Sequence, residues 1–174
     1  MKASVLNRKL HRWGAIITAV PVLIIICTGL LLQFKKESDW VQPPTKRSAD
    51  PALTLSFAEI LEAIRHAPAA EPTGIESWDD IDRLDVRVDR GVAKVRGKNR
   101  WEVQVDTSSG EVLQVAFRRS DLIESLHDGS WFHEKAKLWI FLPSAAILLG
   151  LWGTGIYLWL LPHLARRKRA KHRP

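Results

Sequence analysis

The sequence predicts an integral membrane protein in which two antiparallel transmembrane helices flank a small α+β domain, a helix packed on an antiparallel meander. Three observations predict it. Uncharged apolar runs from Trp13 to Leu32 and from Leu138 to Leu161 are each long enough, as helices, to cross the roughly 30 Å hydrocarbon core of a bilayer. Between them, from Ile81 onward, apolar residues recur at every second position, the period of a strand with one buried face. Charge is also sorted. Residues 1–12 carry Lys2, Arg8, Lys9 and Arg12 without an acid, and the tail after Pro162 carries Arg166, Arg167, Lys168, Arg169, Lys171 and Arg173 without an acid. All 19 Asp and Glu lie between the runs beside 16 Lys and Arg, a net charge of −3. By the positive-inside rule both termini are cytoplasmic and the intervening domain is outside. The overall charge of +7 therefore belongs to the two ends, where topology and anionic headgroups explain it, and no nucleic-acid partner is expected.

The chain divides accordingly: a basic N-terminus (1–12), transmembrane helix 1 (13–34), an outer region (35–130) with a compact domain at about 54–118, transmembrane helix 2 (131–162) and a basic tail (163–174). The first apolar run exceeds the 7–15 residues of a signal-peptide core and lacks a small-residue cleavage site, so it reads as an uncleaved anchor. Steps of three and four place His11, Gly14, Ala15, Thr18, Val22, Ile25 and Thr28 or Gly29 on one face, small enough for another helix or a flat macrocycle to approach, with Trp13, Val20, Leu23 and Leu30 toward lipid. Pro21 should bend this helix and free a carbonyl that Thr18 or a neighbour can satisfy. The lone cysteine, Cys27, excludes a disulfide within the chain and a thiolate cluster, and reads as a small apolar residue.

Ser38 to Pro51, with Pro43-Pro44 and few apolar residues, reads as a linker. Ser56-Phe57-Ala58-Glu59 has the capping-box pattern, with Leu55 and Ile60 as a hydrophobic staple. Phe57, Ile60, Leu61 and Ile64 follow helical spacing to His66, and Pro68 ends the helix. Ala67 to Asp80 reads as a loop. Then Leu84, Val86 and Val88 alternate, Asp89-Arg90-Gly91 turns, Ala93 and Val95 continue, and Gly97-Lys98-Asn99 turns again. Trp101, Val103 and Val105 form a third strand; after the turn Asp106 to Gly110, Leu113, Val115 and Phe117 form the last. Helix and sheet each have one apolar face and can bury each other.

Trp101 to Asp106 followed by Gly110 to Val115 resembles the strand, turn and strand of PepSY domains, with the helix in the usual order before it. Leu10-His11-Arg12-Trp13 with Thr28-Gly29-Leu30-Leu31 resembles the first helix of the PepSY-associated transmembrane family. Leu126-His127-Asp128-Gly129 with Thr154-Gly155-Ile156-Tyr157-Leu158-Trp159 is similar to that family's last helix and its approach. Larger members have four or more spans, so a two-span version is expected to form a homodimer. The resemblance implies a bacterial inner-membrane protein with a periplasmic PepSY-like domain. Relatives of this kind include haem-containing reductases that serve iron acquisition: a quinol or other membrane donor, haem b in a dimeric bundle, and a ferric iron complex outside.

Four histidines lie at the two membrane levels. His11 and His163 share the cytoplasmic one, and His127 and His133 share the outer one. Imidazole suits haem iron, which takes axial ligands on opposite sides of one plane. His11 and His127 lie about a bilayer apart and cannot share one haem. Each needs a partner at its own level, from this chain or from a second copy across a two-fold axis. In the scheme the resemblance implies, His11 holds the inner haem and His127 with His133 the outer one, while His163 also reads as an interfacial anchor. Histidines at span ends also occur simply as interfacial polar residues, and Trp131-Phe132-His133-Glu134 reads equally as an interfacial belt. His66 suits the end of a soluble helix and His172 a solvated tail. Trp13, Trp131, Trp139 and Trp159 read as an aromatic belt, and Ala146, Gly150 and Gly153 as a helix-contact stripe. Asp79, Asp80, Asp82, Asp85 and Asp89 read as a solvated strand face. No phosphate loop, nucleophile elbow or His-Glu-x-x-His signature occurs. The other reading is a membrane-tethered PepSY interaction module that restrains a peptidase or assists an envelope protein without a cofactor; fold alone does not decide between them.

Overall fold

The structure is a computed structural model that describes residues 3–171, with side chains described from 5 to 163. His172 and Arg173 lie outside the described residues, and the side chains of the rest of the basic tail are likewise outside. The chain separates into two compact units, Met1–Leu30 with Glu124–Pro174 and Leu31–Ile123.

The first unit is a helical pair. Helix α1 (Ala3–Gln33) continues through the basic residues at its start, because Lys, Arg and Asn do not break a helix and charge marks only where an apolar run ends. After a short turn of helix α4 (Glu134–Ala136) and one π turn (Lys137–Phe141), helix α5 (Leu142–Lys171) completes the second long segment. Val5–Gln33 and Glu134–His163 are each long and apolar enough to cross a membrane. The helices run antiparallel: the Gly14 Cα faces Leu151 and Ile147, and His11 meets Thr154 while Thr28 meets His127. The small face of α1 is the covered one, with Thr18 and Thr28 buried and Trp13, Val20, Leu23 and Leu30 exposed, as expected; Ala15 is exposed and departs from the pattern. Thr18 does not serve the carbonyl that Pro21 leaves free, which is that of Ile17. Its hydroxyl donates instead to Gly14 O, 2.8 Å away, the usual one-turn reach of a helical threonine. On α5 the expected contact stripe is not the one used. Ala146 is exposed, and nothing lies within 4 Å of a Cβ at Gly150 or Gly153.

The second unit is the α+β layer. Helix α2 (Phe57–His66) starts with both halves of the capping box: Glu59 N donates to the Ser56 hydroxyl and the Glu59 carboxylate accepts from Ser56 N at 2.7 Å. The Ser56 amide and hydroxyl, both donating to it, hold the Glu59 carboxyl below its ordinary value. Ile60, Leu61 and Ile64 bury one face, while Phe57 in the first turn, expected on that face, is exposed. The segment read as a loop contains two 3₁₀ turns, Pro68–Thr73 and Trp78–Asp80. Strands β1 (Ile81–Arg87), β2 (Val92–Gly97), β3 (Trp101–Asp106) and β4 (Val112–Phe117) form an antiparallel sheet in the order β1-β2-β3-β4. Val88, expected in β1, is exposed in a 3₁₀ turn. Ala93 pairs with Val105 and Val95 with Val103 across β2 and β3. All four are fully buried against α2. Burial of side chains such as Ile60 and Ile64 contributes about 1.5–3 kcal/mol each.

One expectation fails on the opposite face of this sheet. The segment read as a linker lies across it: Lys46 N donates to Gln104 Oε1 and Gln104 Nε2 to Pro44 O, Ser48 N donates to Arg90 O, and Val41 and Ser48 are buried. The acids read as a solvated strand face are largely that, with Asp79, Asp82 and Asp89 exposed and Asp80 and Asp85 half-buried, while other charges of this face are covered. Lys94 and Glu102 are only 6% and 3% exposed, paired at 3.0 Å. Arg118 bridges Glu102 and Asp121, and Arg96 bridges Asp121 at 2.8 Å and Asp82 at 2.9 Å. Burial alone would lower the basicity of Arg118; the charges of Glu102 and Asp121 outweigh it and keep the guanidinium firmly charged. In the β3–β4 turn, burial would raise Asp106, but the Ser48 and Ser108 hydroxyls and the Ser108 and Ser109 amides bring its carboxyl down to about 2.

Candidate functional site

Two histidines of the helical pair are held in matching ways. His11 sits on α1, and its Nδ1 lies 3.0 Å from the Thr154 hydroxyl on α5. His127 ends the ten-residue helix α3 (Arg119–Asp128), an element that the sequence reading left unassigned, and its Nδ1 lies 3.0 Å from the Thr28 hydroxyl on α1. Each threonine hydroxyl has one proton. Each hydroxyl also reaches a backbone carbonyl of its own helix, Leu151 O at 3.0 Å from Thr154 and Ile24 O from Thr28. With the hydroxyl proton on that carbonyl, the oxygen accepts from Nδ1–H and the Nε2 lone pair is open. A histidine that ligates a metal is oriented in this manner, by donating its other ring N–H to a neighbouring oxygen.

A glycine follows each threonine, and each backs the histidine it helps to hold. A Cβ at Gly29 would meet His127 Cε1 at 3.3 Å, and one at Gly155 would meet His11 Cε1 at 3.7 Å. Thr-Gly thus occurs once in each long helix, opposite His127 of α3 in the first and opposite His11 of α1 in the second. Thr28 and Thr154 had been noted as parts of family-like motifs; their role as acceptors was missed, and the repeated dipeptide was the available signal.

The approach to His127 needs further support. Gly129 has φ +84°, and a Cβ there would lie 2.2 Å from the Phe141 ring, so both its conformation and its space exclude a side chain. Phe141 is buried at the end of the π turn, a single wide turn of a kind that recurs at functional sites. Asp128 receives Ser130 N at 2.9 Å and pairs with Lys137 at 2.7 Å. Burial would raise its carboxyl, but the hydrogen bonds from Lys137 and Ser130 and the Lys137 charge hold it below the ordinary value.

The other two candidates are occupied differently. His133 caps α4, its Nδ1 accepting from Lys135 N at 3.0 Å, which leaves the proton of the neutral ring on Nε2. His163 Nδ1 faces Trp159 O at 3.2 Å; a carbonyl only accepts, so this ring also keeps Nε2 open, tilted over the Trp159 indole at 5.2 Å. No group of three or more His, Cys, Asp or Glu able to hold a metal ion occurs among the described residues. Residues 11 and 28 of α1 lie about 25 Å apart along the axis at 1.5 Å per residue, so the two histidine–threonine pairs mark two separate levels.

Residues 8–173 match the family model described as the PepSY-associated TM region. The chain belongs to this family. The match takes in both histidine–threonine pairs and the whole α+β layer. No curated protein and no solved structure matches this chain. This PepSY-associated TM protein therefore joins two apolar helices to a four-stranded layer, and its most chemically prepared side chains are His11 and His127.

Proposed function

We propose that this PepSY-associated TM protein is a haem-binding redox protein of the bacterial inner membrane, passing electrons to ferric iron or a ferric siderophore in the periplasm for iron uptake. One observation carries the reading: two histidines at separate levels, His11 on α1 and His127 on α3, each with Nδ1 3.0 Å from a threonine hydroxyl of a long helix, a contact in which Nδ1–H can donate and leave Nε2 for a metal. That donor set fits haem iron, for which a neutral imidazole with a fixed tautomer is an ordinary axial ligand. Bound haem b would supply one-electron transfer between a quinol or other membrane donor and the iron complex. The protein's part is to hold each ring by its threonine, to back it with a glycine, and to limit the approach of water.

Each level needs a second axial ligand, and a homodimer supplies it by symmetry. At the His11 level His163 is a further candidate, with Nε2 open. At the His127 level His133 would have to give up its cap on α4. The uncovered Ala146, Gly150 and Gly153 stripe of α5 is where the second copy's helix would pack. The sorted charges support cytoplasmic termini and a periplasmic α+β layer.

The test is the visible spectrum of the full-length protein, expressed in membranes with haem available, before and after dithionite. A Soret band that shifts on reduction, with sharp α and β bands, is expected. His11→Ala and His127→Ala should each lower haem content, and bound haem that ignores both changes would refute the ligand assignment. A folded, colourless protein that takes up no added haem would favour a cofactor-free PepSY module acting on a peptidase or another envelope protein.

A further inference from the structure

Away from the histidines, the charged face of the sheet carries a half-open cavity of about 290 Å³ within the Leu31–Ile123 unit. Seven Lys and Arg line it against two acids, Asp85 and Glu102. The acids nearby are already engaged: Glu102 by Lys94 and Arg118, Asp121 by Arg96 and Arg118, Asp82 by Arg96 and Asp85 by Arg87. Lys36 and Arg83 line the cavity and make no ion pair among the described residues. One buried donor of a lining residue, Arg96 Nε, has no hydrogen-bond partner, although buried polar groups are nearly always satisfied. Excess positive charge beside an unmatched guanidinium N–H is the arrangement that oxyanions complete.

We propose that this cavity binds a small polyanion with clustered oxygens, a phosphate or a polycarboxylate. The volume is that of about ten waters at roughly 30 Å³ each, which suits a compact anion. No aromatic ring lines the cavity, so stacking of nucleic-acid bases is not provided for. The same oxygen chemistry can come from a soluble anion or from a lipid phosphate headgroup, and the two sources are separable.

The full-length protein in nanodiscs of phosphatidylcholine is titrated calorimetrically with citrate, pyrophosphate and inorganic phosphate at fixed ionic strength. Saturable one-to-one binding of at least one of them is expected. Lys36→Gln with Arg83→Gln, both exposed positions, should weaken it about tenfold or more, since hydrogen bonds to charged groups contribute on that scale. Arg65→Gln on α2, outside the cavity, should not. If phosphatidylglycerol in the disc suppresses the titration in the parent protein, the cavity is filled by a lipid phosphate; if it does not, the anion is a soluble one. Absence of saturable binding in phosphatidylcholine discs overturns the proposal, and so does binding that the double variant leaves unchanged. The heat of binding does not depend on haem, and His127→Ala should leave it intact, so this proposal and the redox reading fail separately.

Discussion

The His11 and His127 pairs use the same atoms and are built to different tolerances. His11 and Thr154 both stand on continuous helices, which set their positions without help, and Gly155 leaves 3.7 Å to the ring. His127 stands at the end of a short helix before a turn. There the ring is closer to its glycine, at 3.3 Å, and its segment depends on Gly129, on Phe141 and on the Asp128–Lys137 ion pair. An imidazole on a long helix inherits its placement from the backbone hydrogen-bond ladder. One in a connecting segment must have that placement assembled from side chains.

The largest expected effect tests whether the two levels are separate. His127→Ala and His11→Ala should each remove about half the bound haem by pyridine haemochrome assay, whereas a single shared site would lose all of it in either variant. Next, Gly129→Ala introduces both a left-handed residue and a clash with Phe141. It should destabilise the protein by about 3 kcal/mol or more and disturb the His127 level in particular, read as the loss of one of two haem potentials. Thr28→Val and Thr154→Val each delete the hydrogen bond to the imidazole, about 1 kcal/mol, together with the hydroxyl's bond to its own helix. Both should release the Nδ1 proton to faster exchange in ¹⁵N-edited spectra of labelled histidine, and equal effects at both rings would show that the two pairs are chemically equivalent. The smallest contrast is between glycines. Gly155→Ala should be tolerated, with a gain of about 0.5–1 kcal/mol from better helix propensity, while Gly29→Ala should push His127 and cancel that gain.

Acid separates the pairs in another way. The Asp128 carboxyl lies below its ordinary value in the folded protein, so its contribution is present above the unfolded pKa of about 3.9 and is lost as pH falls through the lower folded value. Acidification below about pH 4 should therefore loosen the His127 segment before the His11 segment, with Asp128→Asn abolishing the difference in amide hydrogen exchange.

Much of the scaffold was legible because local rules decide it. The apolar runs, the Ser56–Glu59 capping box, the alternation through Val95, Val103 and Val105, and the turn glycine at Gly91 each announce their structure within a few residues. The covered face of α1 was readable from the spacing of Gly14, Thr18 and Thr28. What escaped was decided by contacts distant in sequence. A strand with alternating charges looks the same whether those charges meet water or each other, so the burial of Lys94 and Glu102 beneath Ser38 to Pro51 and Arg118 could not be read from the strands alone. Ser38 to Pro51 has no period because it forms no element; its order comes from Gln104 and Arg90. At the candidate site the histidines were readable as residues, but their tautomers depend on threonines 99 and 143 positions away.

His11 is held by Thr154, 143 positions later, so its pair closes only once α5 is present, whereas His127 on α3 needs only α1. The two imidazoles are therefore finished in the reverse of the order in which they are made: the first ring synthesised waits longest for its counterpart. A chain ending before α5 would carry the Thr28–His127 pair and leave His11 without Thr154.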